Sequence, residues 1–287
     1  MSREKTPKHP KTQVVLIIVE GTTDIKALAG GLSNLVDQSI LDVQFTHIDK
    51  NLDAITRHAS KHGRGCDDRR TLSNGGGDIF GEMEVTPSNI KARIQDWCIK
   101  PWLEDAANKS YYPKAICRIY QIADMDGTYV PDECVRYGGS NLRDNRYTDT
   151  GILACNTQKQ HEFMARRRAN IDTALEIKTV KVGNRKKEVP YKLFYFSSNM
   201  DHFTDFGSQN ANMTKSEKVT NAYKFSSKYS NDPEAYREFF DSCGNATQDA
   251  WEESWRTVRE GMNSIRRGTN YGLLIDEIVE LYRQMTH

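Results

Sequence analysis

Apolar residues in the first 200 positions fall into short blocks that predict the strands of a parallel sheet. Three blocks are almost continuously apolar, as in strands buried on both faces, and a fourth alternates between apolar and polar residues. In chain order, the four predicted strands are 13–20, 42–49, 115–124 and 191–197. Residues 151–155 predict a further short strand, and 176–198 predict a hairpin that contains the last of the four.

Helical periodicity lies between these strands and dominates the last third of the chain. The predicted helices before residue 213 are 25–35, 158–176 and 88–108, the last interrupted at Pro101. Further on, a capping box opens a helix from 214 to about 229, Asp232-Pro233 starts another, and 245–262 and 270–285 are amphipathic with Trp and Leu stripes that face a core. The pattern predicts an α/β domain over 1–212, with an insertion at about 50–110, followed by an α-helical region over 213–287.

Composition narrows the class of protein only a little. The 287 residues carry a formal net charge of +1, so any affinity for nucleic acid must come from local patches. The longest apolar run, Val14 to Val19, is too short to cross a membrane, and the basic residues 1–12 lead into a strand rather than a signal peptide. Six widely spaced cysteines without a CxxC pair are expected to be reduced thiols, so we expect a cytoplasmic protein.

Acidic residues follow two of the predicted strands. Glu20 ends the first strand and is followed by Gly21 and by Asp24 at a helix start, while Asp124 and Asp126 end the third strand before Gly127. If the two strands are neighbours, about 4.8 Å apart, these carboxylates converge at the edge where open α/β sheets place ligands. Carboxylates together with substrate phosphates are the usual ligands of Mg²⁺. A loop whose acids merely cap a helix is the structural alternative.

Two basic segments are candidate contacts to a nucleic-acid backbone. Arg166, Arg167 and Arg168 lie in the helix predicted over 158–176, where a solvated face is the more common explanation. Arg185, Lys186 and Lys187 lie at the turn of the predicted hairpin. A different possibility is a zinc site at His58, His62 and Cys66, which share helical spacing, although glycines at 63 and 65 interrupt that helix and no fourth ligand is evident.

The sequence resembles the TOPRIM family in its acidic motifs. An apolar strand ending in Glu20-Gly21, followed later by a strand ending in Asp124-x-Asp126, is similar to the metal-binding pattern of that domain in topoisomerases, primases, recombination mediators and OLD-type nucleases. The resemblance covers roughly 13–200. Within the family, a chain without zinc-finger cysteines or tyrosine gate domains looks most like the small stand-alone TOPRIM effectors of anti-phage defence systems of the PARIS type. The polar segment 197–203 is loosely similar to a strand-end motif of such proteins.

The resemblance implies a Rossmann-like sheet and a nuclease dependent on Mg²⁺ or Mn²⁺. Glu20 would be the catalytic acid or base, Asp124 and Asp126 would hold the metal, and Asp24 would occupy the place of a further acid. It also implies a nucleic-acid substrate, an ABC- or SMC-like ATPase partner, possible homo-oligomers and a toxic activity released on infection. The long stretch between Glu20 and Asp124 departs from the family pattern and puts the strand order in question.

Two other functions fit parts of the sequence. Residues 123–130 also match the first motif of haloacid-dehalogenase-type phosphatases, in which Asp124 would attack phosphate and Asp126 would serve as general acid or base. The remaining motifs of that family would have to come from Thr157, Lys192, Asp201 and Asp205. Against this interpretation, two strands precede the motif and Glu20 is left without a role. The third possibility is a non-catalytic sensor or adaptor whose helical region binds an ATPase.

Overall fold

The structure is a computed structural model that describes residues 12–48, 78–105, 108, 113–142, 145–183, 187–204, 213–243 and 251–287. Several of the residues singled out from the sequence lie outside these ranges, namely His58, His62, Cys66, Arg185, Lys186 and Asp205. The part of the predicted insertion (about 50–110) that precedes residue 78 is likewise outside them. No helix within the described ranges is long and apolar enough to cross a membrane.

The central sheet has five strands in the order β2-β1-β3-β8-β7. β1 (Gln13–Val19) lies between β2 (Leu41–His47) and β3 (Ile116–Asp124), and β3 also pairs with β8 (Lys187–Phe196). These pairings are all parallel, whereas β7 (Thr179–Val182) pairs antiparallel with β8 as the first arm of a hairpin. The prediction of a mainly parallel α/β sheet is confirmed. The two acid-bearing strands, whose adjacency the sequence left open, are neighbours.

A second, smaller sheet lies after the third strand of the central sheet. It consists of β4 (Val135–Tyr137), β5 (Arg146–Thr148) and β6 (Gly151–Ala154), in the order β4-β6-β5. The sequence predicts β6, but it predicts no strand at β4 or β5. A three-residue strand shows hardly one period of alternation, so its pairing with β6 depends on tertiary context rather than on a local pattern.

Helices cover both faces of the central sheet. Before residue 200 these are α1 (Thr22–Ser33), α2 and α3 (Thr157–Leu175), and α2 has three consecutive pieces, Ile90–Ile94, Gln95–Ile99 and Lys100–Glu104. After it come α4 (Asp201–Thr204), α5 (Lys215–Tyr229), α6 (Pro233–Ser242), α7 (Trp251–Val258) and α8 (Tyr271–Thr286). The predicted caps are confirmed, because Thr214 and Glu217 form a capping box and the Asp232 side chain caps α6 before Pro233.

The sequence predicts that Pro101 interrupts this helix, but α2 continues through Pro101. The helix widens into a π-helical piece over Gln95–Ile99, and the N–H of Lys100 donates to the carbonyl of Gln95, five residues back. Pro101 follows directly at the start of the next α-helical piece, where a missing N–H group is tolerated. The change of helix type thus absorbs the proline without ending the helix.

The alternation of β1 shows that the sheet is buried on both faces. Val14, Leu16 and Ile18 join one hydrophobic core with residues of α2, α3 and α7, while Val15, Ile17 and Val19 join a second core with residues of α1, α5, α6 and α8. The Trp255 and Leu274 side chains are buried, as the stripes predict. The helical region after residue 213 therefore packs directly on the sheet and forms part of both cores.

α1 packs so closely against α6 at Gly31 that a larger residue at this position should destabilise the protein. A Cβ atom at this position would lie 2.3 Å from the ring of Tyr236, whose hydroxyl is held by Tyr271 at 2.7 Å. Gly31→Ala should therefore lower the free energy of unfolding by roughly 1–3 kcal/mol through overpacking, despite the better helix propensity of alanine. Urea unfolding followed by circular dichroism measures the change.

Gly30→Ala is the matched control for this substitution. A Cβ atom at position 30 would lie 2.4 Å from the hydroxyl oxygen of Ser230. Because this hydroxyl can rotate away, we expect the free energy of unfolding to change by no more than about 1 kcal/mol. Equal effects of the two substitutions would contradict the close approach of α1 to Tyr236.

Candidate functional site

The acids predicted from the sequence meet at the carboxyl ends of β1 and β3. The two strands are in parallel register, with Ile18 opposite Gln121. One residue past the end of β1, the Glu20 carboxylate crosses to β3 and its Oε1 accepts a hydrogen bond of 3.1 Å from the N–H of Asp124. This bond places Glu20 beside the Asp124 backbone, as the sequence predicts.

Asp24 joins the group from the first turn of α1. The helix begins at Thr22, slightly earlier than predicted, so Asp24 is its third residue. Its carboxylate accepts a hydrogen bond of 2.9 Å from the N–H of Gly21, which fixes the turn between β1 and α1. A carboxylate in the first turn also gains from the helix dipole. Asp24 therefore has a structural role as a cap in addition to its place near the other acids.

The turn after β3 fixes the position of Asp126. Asp126 and Gly127 both adopt positive φ angles, 46° and 73°, and the Asp126 N–H donates to the carbonyl of Ser198 at 2.6 Å. Aspartate tolerates this conformation better than most residues, and a side chain at 127 would collide with Ile152 at 2.6 Å. The Asp126 Oδ1 atom accepts a hydrogen bond of 2.8 Å from the Tyr147 hydroxyl, which belongs to the small sheet.

The end of β8 supplies a third side of the site. The N–H of Met200 donates to Oδ1 of Asp124 at 3.0 Å, which leaves the other Asp124 oxygen without a hydrogen bond from the described residues. Asp201, the residue after Met200, forms an ion pair of 2.5 Å with Lys218 of α5. The Lys218 side chain is 40% exposed. The polar strand end predicted at 197–202 thus contacts the acids, and the C-terminal helices bring a cation to the site's opening.

Two further residues belong to the site. Asp78 was not singled out from the sequence, and Arg167 was predicted to contact nucleic acid. Arg167 has no exposed side-chain surface, and its Nη1 lies 2.5 Å from Asp78 and 3.6 Å from Asp126. Its Nη2 lies 3.8 Å from Glu20 and donates to the carbonyl of Asp124. The guanidinium is therefore enclosed by the acids and is not on a surface that contacts nucleic acid.

A sequence signal for Arg167 existed. Buried residues of α3 recur with helical spacing at Gln160, Met164, Arg167, Ile171 and Ala174, so Arg167 lies on the inward stripe of the helix. Periodicity alone would have separated it from the arginines beside it. Asp78 offers no comparable signal, because the sequence around it is irregular.

The other predicted basic contacts are engaged elsewhere. The Arg166 Nε donates to the Gly81 carbonyl at 2.9 Å, and Arg168 donates to the carbonyls of Thr128 and Val130 and pairs with Asp132. Lys187 lies at the opposite end of β8 from the acids, where its Nζ donates to the carbonyls of Lys114 and Ile116. Described members of the two basic segments therefore hold parts of the fold together.

Burial and mutual repulsion make these acids hard to ionise. Burial, reinforced by the negative charges of Glu20 and Asp24, raises the pKa of Asp124 well above its ordinary value. Burial, with repulsion from Asp78, also raises the pKa of Glu20, although Arg167 partly opposes the change. Burial and repulsion from Asp201 raise the pKa of Asp24 to about 7.

Arg167 offsets only part of this negative charge. Burial lowers the pKa of its guanidinium, but attraction to Asp78, Glu20 and Asp126 outweighs that effect, so the pKa is raised and the charge is permanent. The six acids that interact at this edge are Glu20, Asp24, Asp78, Asp124, Asp126 and Asp201. Against them stand Arg167 and Lys218. The excess of negative charge favours binding of a cation.

The donor set suits a hard divalent cation. Within the described part of the chain, no three His, Cys, Asp or Glu side chains already converge as closely as metal ligands do. All six acids nevertheless offer oxygen ligands. The raised pKa values of Glu20, Asp24, Asp78 and Asp124 are the response expected of carboxylates whose neutralising charge is insufficient. Glu20, Asp124 and Asp126, with Asp24 beside them, are the residues whose carboxylates could hold such an ion.

Comparison with protein-family models, with curated proteins and with solved structures finds no significant match to this chain. The fold and the site define the molecule only as an α/β protein with a group of acids at the carboxyl edge of a mostly parallel sheet. That edge is the usual ligand-binding position in open α/β sheets.

The raised pKa values predict an unusual dependence of stability on pH. A group whose pKa is higher in the folded state stabilises the fold below its unfolded pKa, near 4, and loses that contribution as pH rises through the folded value. For Asp24 the loss falls between about pH 4 and the folded pKa of about 7. In EDTA, the free energy of unfolding should therefore fall by roughly 2–3 kcal/mol between pH 5 and pH 8 because of this residue. Urea unfolding at several pH values measures it.

Asp24→Asn provides the control for this pH dependence. Asparagine keeps an oxygen that can accept the Gly21 hydrogen bond but carries no charge. The variant should be more stable than the wild type at pH 8 and should show a smaller pH dependence. Identical slopes for the two proteins would contradict the raised pKa of Asp24.

Proposed function

We propose that this protein is a metal-dependent nuclease of the TOPRIM type, using Mg²⁺ or Mn²⁺ to cleave phosphodiester bonds in nucleic acid. The observation that carries the proposal is the meeting of Glu20 with Asp124 at the ends of neighbouring parallel strands, with Asp126 two residues further on. A helix cap would explain Asp24 alone. It does not explain a glutamate that crosses from one strand to the next.

The site residues have distinct tasks in this proposal. Burial and repulsion from Asp78 raise the pKa of Glu20, which favours its protonated form. Glu20 can therefore act as a general acid toward a leaving oxygen or, when ionised, as a general base toward attacking water. Asp124 and Asp126, together with Glu20 and with Asp24 nearby, would hold the metal. Mg²⁺, when bound, supplies a Lewis acid that polarises the phosphate and lowers the pKa of bound water.

Lys218 supports an anionic substrate. Its side chain is 40% exposed and pairs with Asp201, and attraction to Asp124 and Asp126 contributes to raising its pKa even though burial alone would lower it. Because Arg167 is enclosed, Lys218 is better placed to meet a phosphate that enters from solvent. The predicted contacts at Arg185 and Lys186 stay proposals for the more distant nucleic-acid backbone.

The biological setting is proposed by resemblance. Small TOPRIM nucleases of anti-phage systems act with an ABC- or SMC-like ATPase that restrains them. A toxic nuclease of near-neutral charge, held inactive by such a partner in the cytoplasm and released on infection, is consistent with the sequence. The helices after residue 213 are the proposed region of contact with the partner.

The phosphatase interpretation has weaker support. It assigns a catalytic lysine, for which Lys192 is the candidate from the sequence, but Lys192 is paired with Glu277 of α8 and lies mid-strand on β8. Thr157, another residue that this interpretation assigns to the remaining phosphatase motifs, is the first residue of α3. The same interpretation also leaves the hydrogen bond from Asp124 to Glu20 without a function.

Substitution of the acids tests the nuclease proposal. Glu20→Gln and Asp126→Asn should each reduce cleavage of mixed tRNA, single-stranded DNA or plasmid by about 10²–10⁴-fold, because one removes the proton-transfer group and the other a metal ligand. EDTA should abolish cleavage by the wild type. The activity of partner-free protein is measured by gel electrophoresis of the cleavage products. Glu277→Gln, in the middle of α8, is the control variant that should retain the activity.

A phosphate-ester reporter separates the alternatives. Reporter hydrolysis that survives Glu20→Gln but not Asp126→Asn would replace the nuclease with a phosphatase. If wild-type protein cleaves none of the substrates yet binds an ATPase, the acids are structural and the chain is an adaptor.

A further inference from the structure

The pair formed by Asp78 and Arg167 is placed where it can support the candidate metal site. The Arg167 guanidinium contacts three groups of this site. They are the Glu20 carboxylate after β1, the Asp124 carbonyl at the end of β3, and the Asp126 carboxylate in the turn that follows. A buried guanidinium is expensive to desolvate and would not be needed to fill a gap between helix and sheet. Its contacts are concentrated on the acids.

The distances divide the contacts into one close pair and two longer ones. Asp78 lies 2.5 Å from the guanidinium, whereas Glu20 and Asp126 lie 3.8 Å and 3.6 Å away. A guanidinium free to move would close on Glu20 and Asp126 and compete with a cation for them. Asp78 holds it back, so that its charge orients these two carboxylates without occupying them.

Helix α3 also fixes Asp78 itself. The buried Asn170 side chain donates to the carbonyls of Phe80 and Val85 at 2.8 Å and 3.1 Å, and Arg166 binds the Gly81 carbonyl. A Cβ atom at Gly81 would lie 2.4 Å from the Asp78 carboxylate, so this glycine allows the chain to fold closely around it. One face of α3 therefore carries Arg167 and clamps the segment that supplies its partner.

We propose that Arg167, held by Asp78, is a positioning residue for the metal ligands Glu20 and Asp126. The proposal rests on the metal site of the proposed function, but it assigns roles to two residues outside the acidic motifs. Partners that orient ligating carboxylates typically contribute 10–100-fold to metal affinity.

Arg167→Lys is the sharpest test because it keeps the charge. An ammonium group cannot span Asp78, Glu20, Asp126 and the Asp124 carbonyl as the planar guanidinium does. The Kd for Mn²⁺, measured by calorimetry and by the electron paramagnetic resonance of free Mn²⁺ on metal-stripped, full-length protein, should rise about 10-fold or more. Arg168→Lys is the matched control, since Arg168 contacts Thr128, Val130 and Asp132 but none of the ligands.

Asp78→Asn provides the second variant. Asparagine can still accept the hydrogen bond from the Phe80 N–H but no longer holds the guanidinium by charge. The released Arg167 should close on Glu20 and Asp126, and the Kd for Mn²⁺ should again rise about 10-fold. This variant decides the matter if Arg167→Lys fails to fold.

The outcomes separate this proposal from the proposed function. A purely structural role for Arg167 predicts a lower Tm with an unchanged Mn²⁺ Kd, and that result overturns the proposal, as does an unchanged Kd in Asp78→Asn. Wild-type protein that binds no Mn²⁺ overturns both proposals. Mn²⁺ binding that weakens in both variants, without nucleic-acid cleavage by the wild type, supports the positioning role and refutes the nuclease.

Discussion

Repulsion among the acids at the carboxyl edge of the sheet is the constraint on which the rest of the site depends. Burial and neighbouring negative charges raise the pKa values of Glu20, Asp24 and Asp124. A fold that served stability alone would not gather such groups, because each buried carboxylate needs a partner or must take up a proton. They lie at the edge where open α/β sheets usually bind ligands, which is the position of the metal site in the proposed function.

Two hydrophobic cores hold the strands together against this repulsion. Alternate residues of β1 enter opposite cores, so a slip of β1 by one residue would move each set of side chains into the core that is packed around the other set. The register between β1 and β3 in turn fixes Glu20 beside Asp124. The C-terminal helices contribute to both cores and bring Lys218 to Asp201. Packing far from the edge thus determines the geometry at the edge.

Residues with strong local patterns were predictable, and those that depend on tertiary contacts were not. Continuous apolar blocks identified the strands, and because the acids follow them directly, their convergence followed from strand adjacency. Arg167 was hidden in a run of three arginines, where charge suggested a solvated face although helical spacing points it inward. Asp78 follows a long irregular stretch, and its position depends on contacts with α3 that no local pattern encodes.

The position of Glu20 distinguishes the nuclease from the phosphatase more strongly than the Asp124-x-Asp126 motif, which suits both. A phosphatase of the haloacid-dehalogenase type needs one aspartate as nucleophile and another as general acid or base. A glutamate that accepts a hydrogen bond from the backbone N–H of the first aspartate would have no function in it. In a metal-dependent nuclease, the same glutamate stands beside both aspartates and within reach of the metal that they would hold. The position of Arg167 agrees with this distinction, because its guanidinium lies 3.8 Å from Glu20 and 3.6 Å from Asp126 and so contacts both acids at one site.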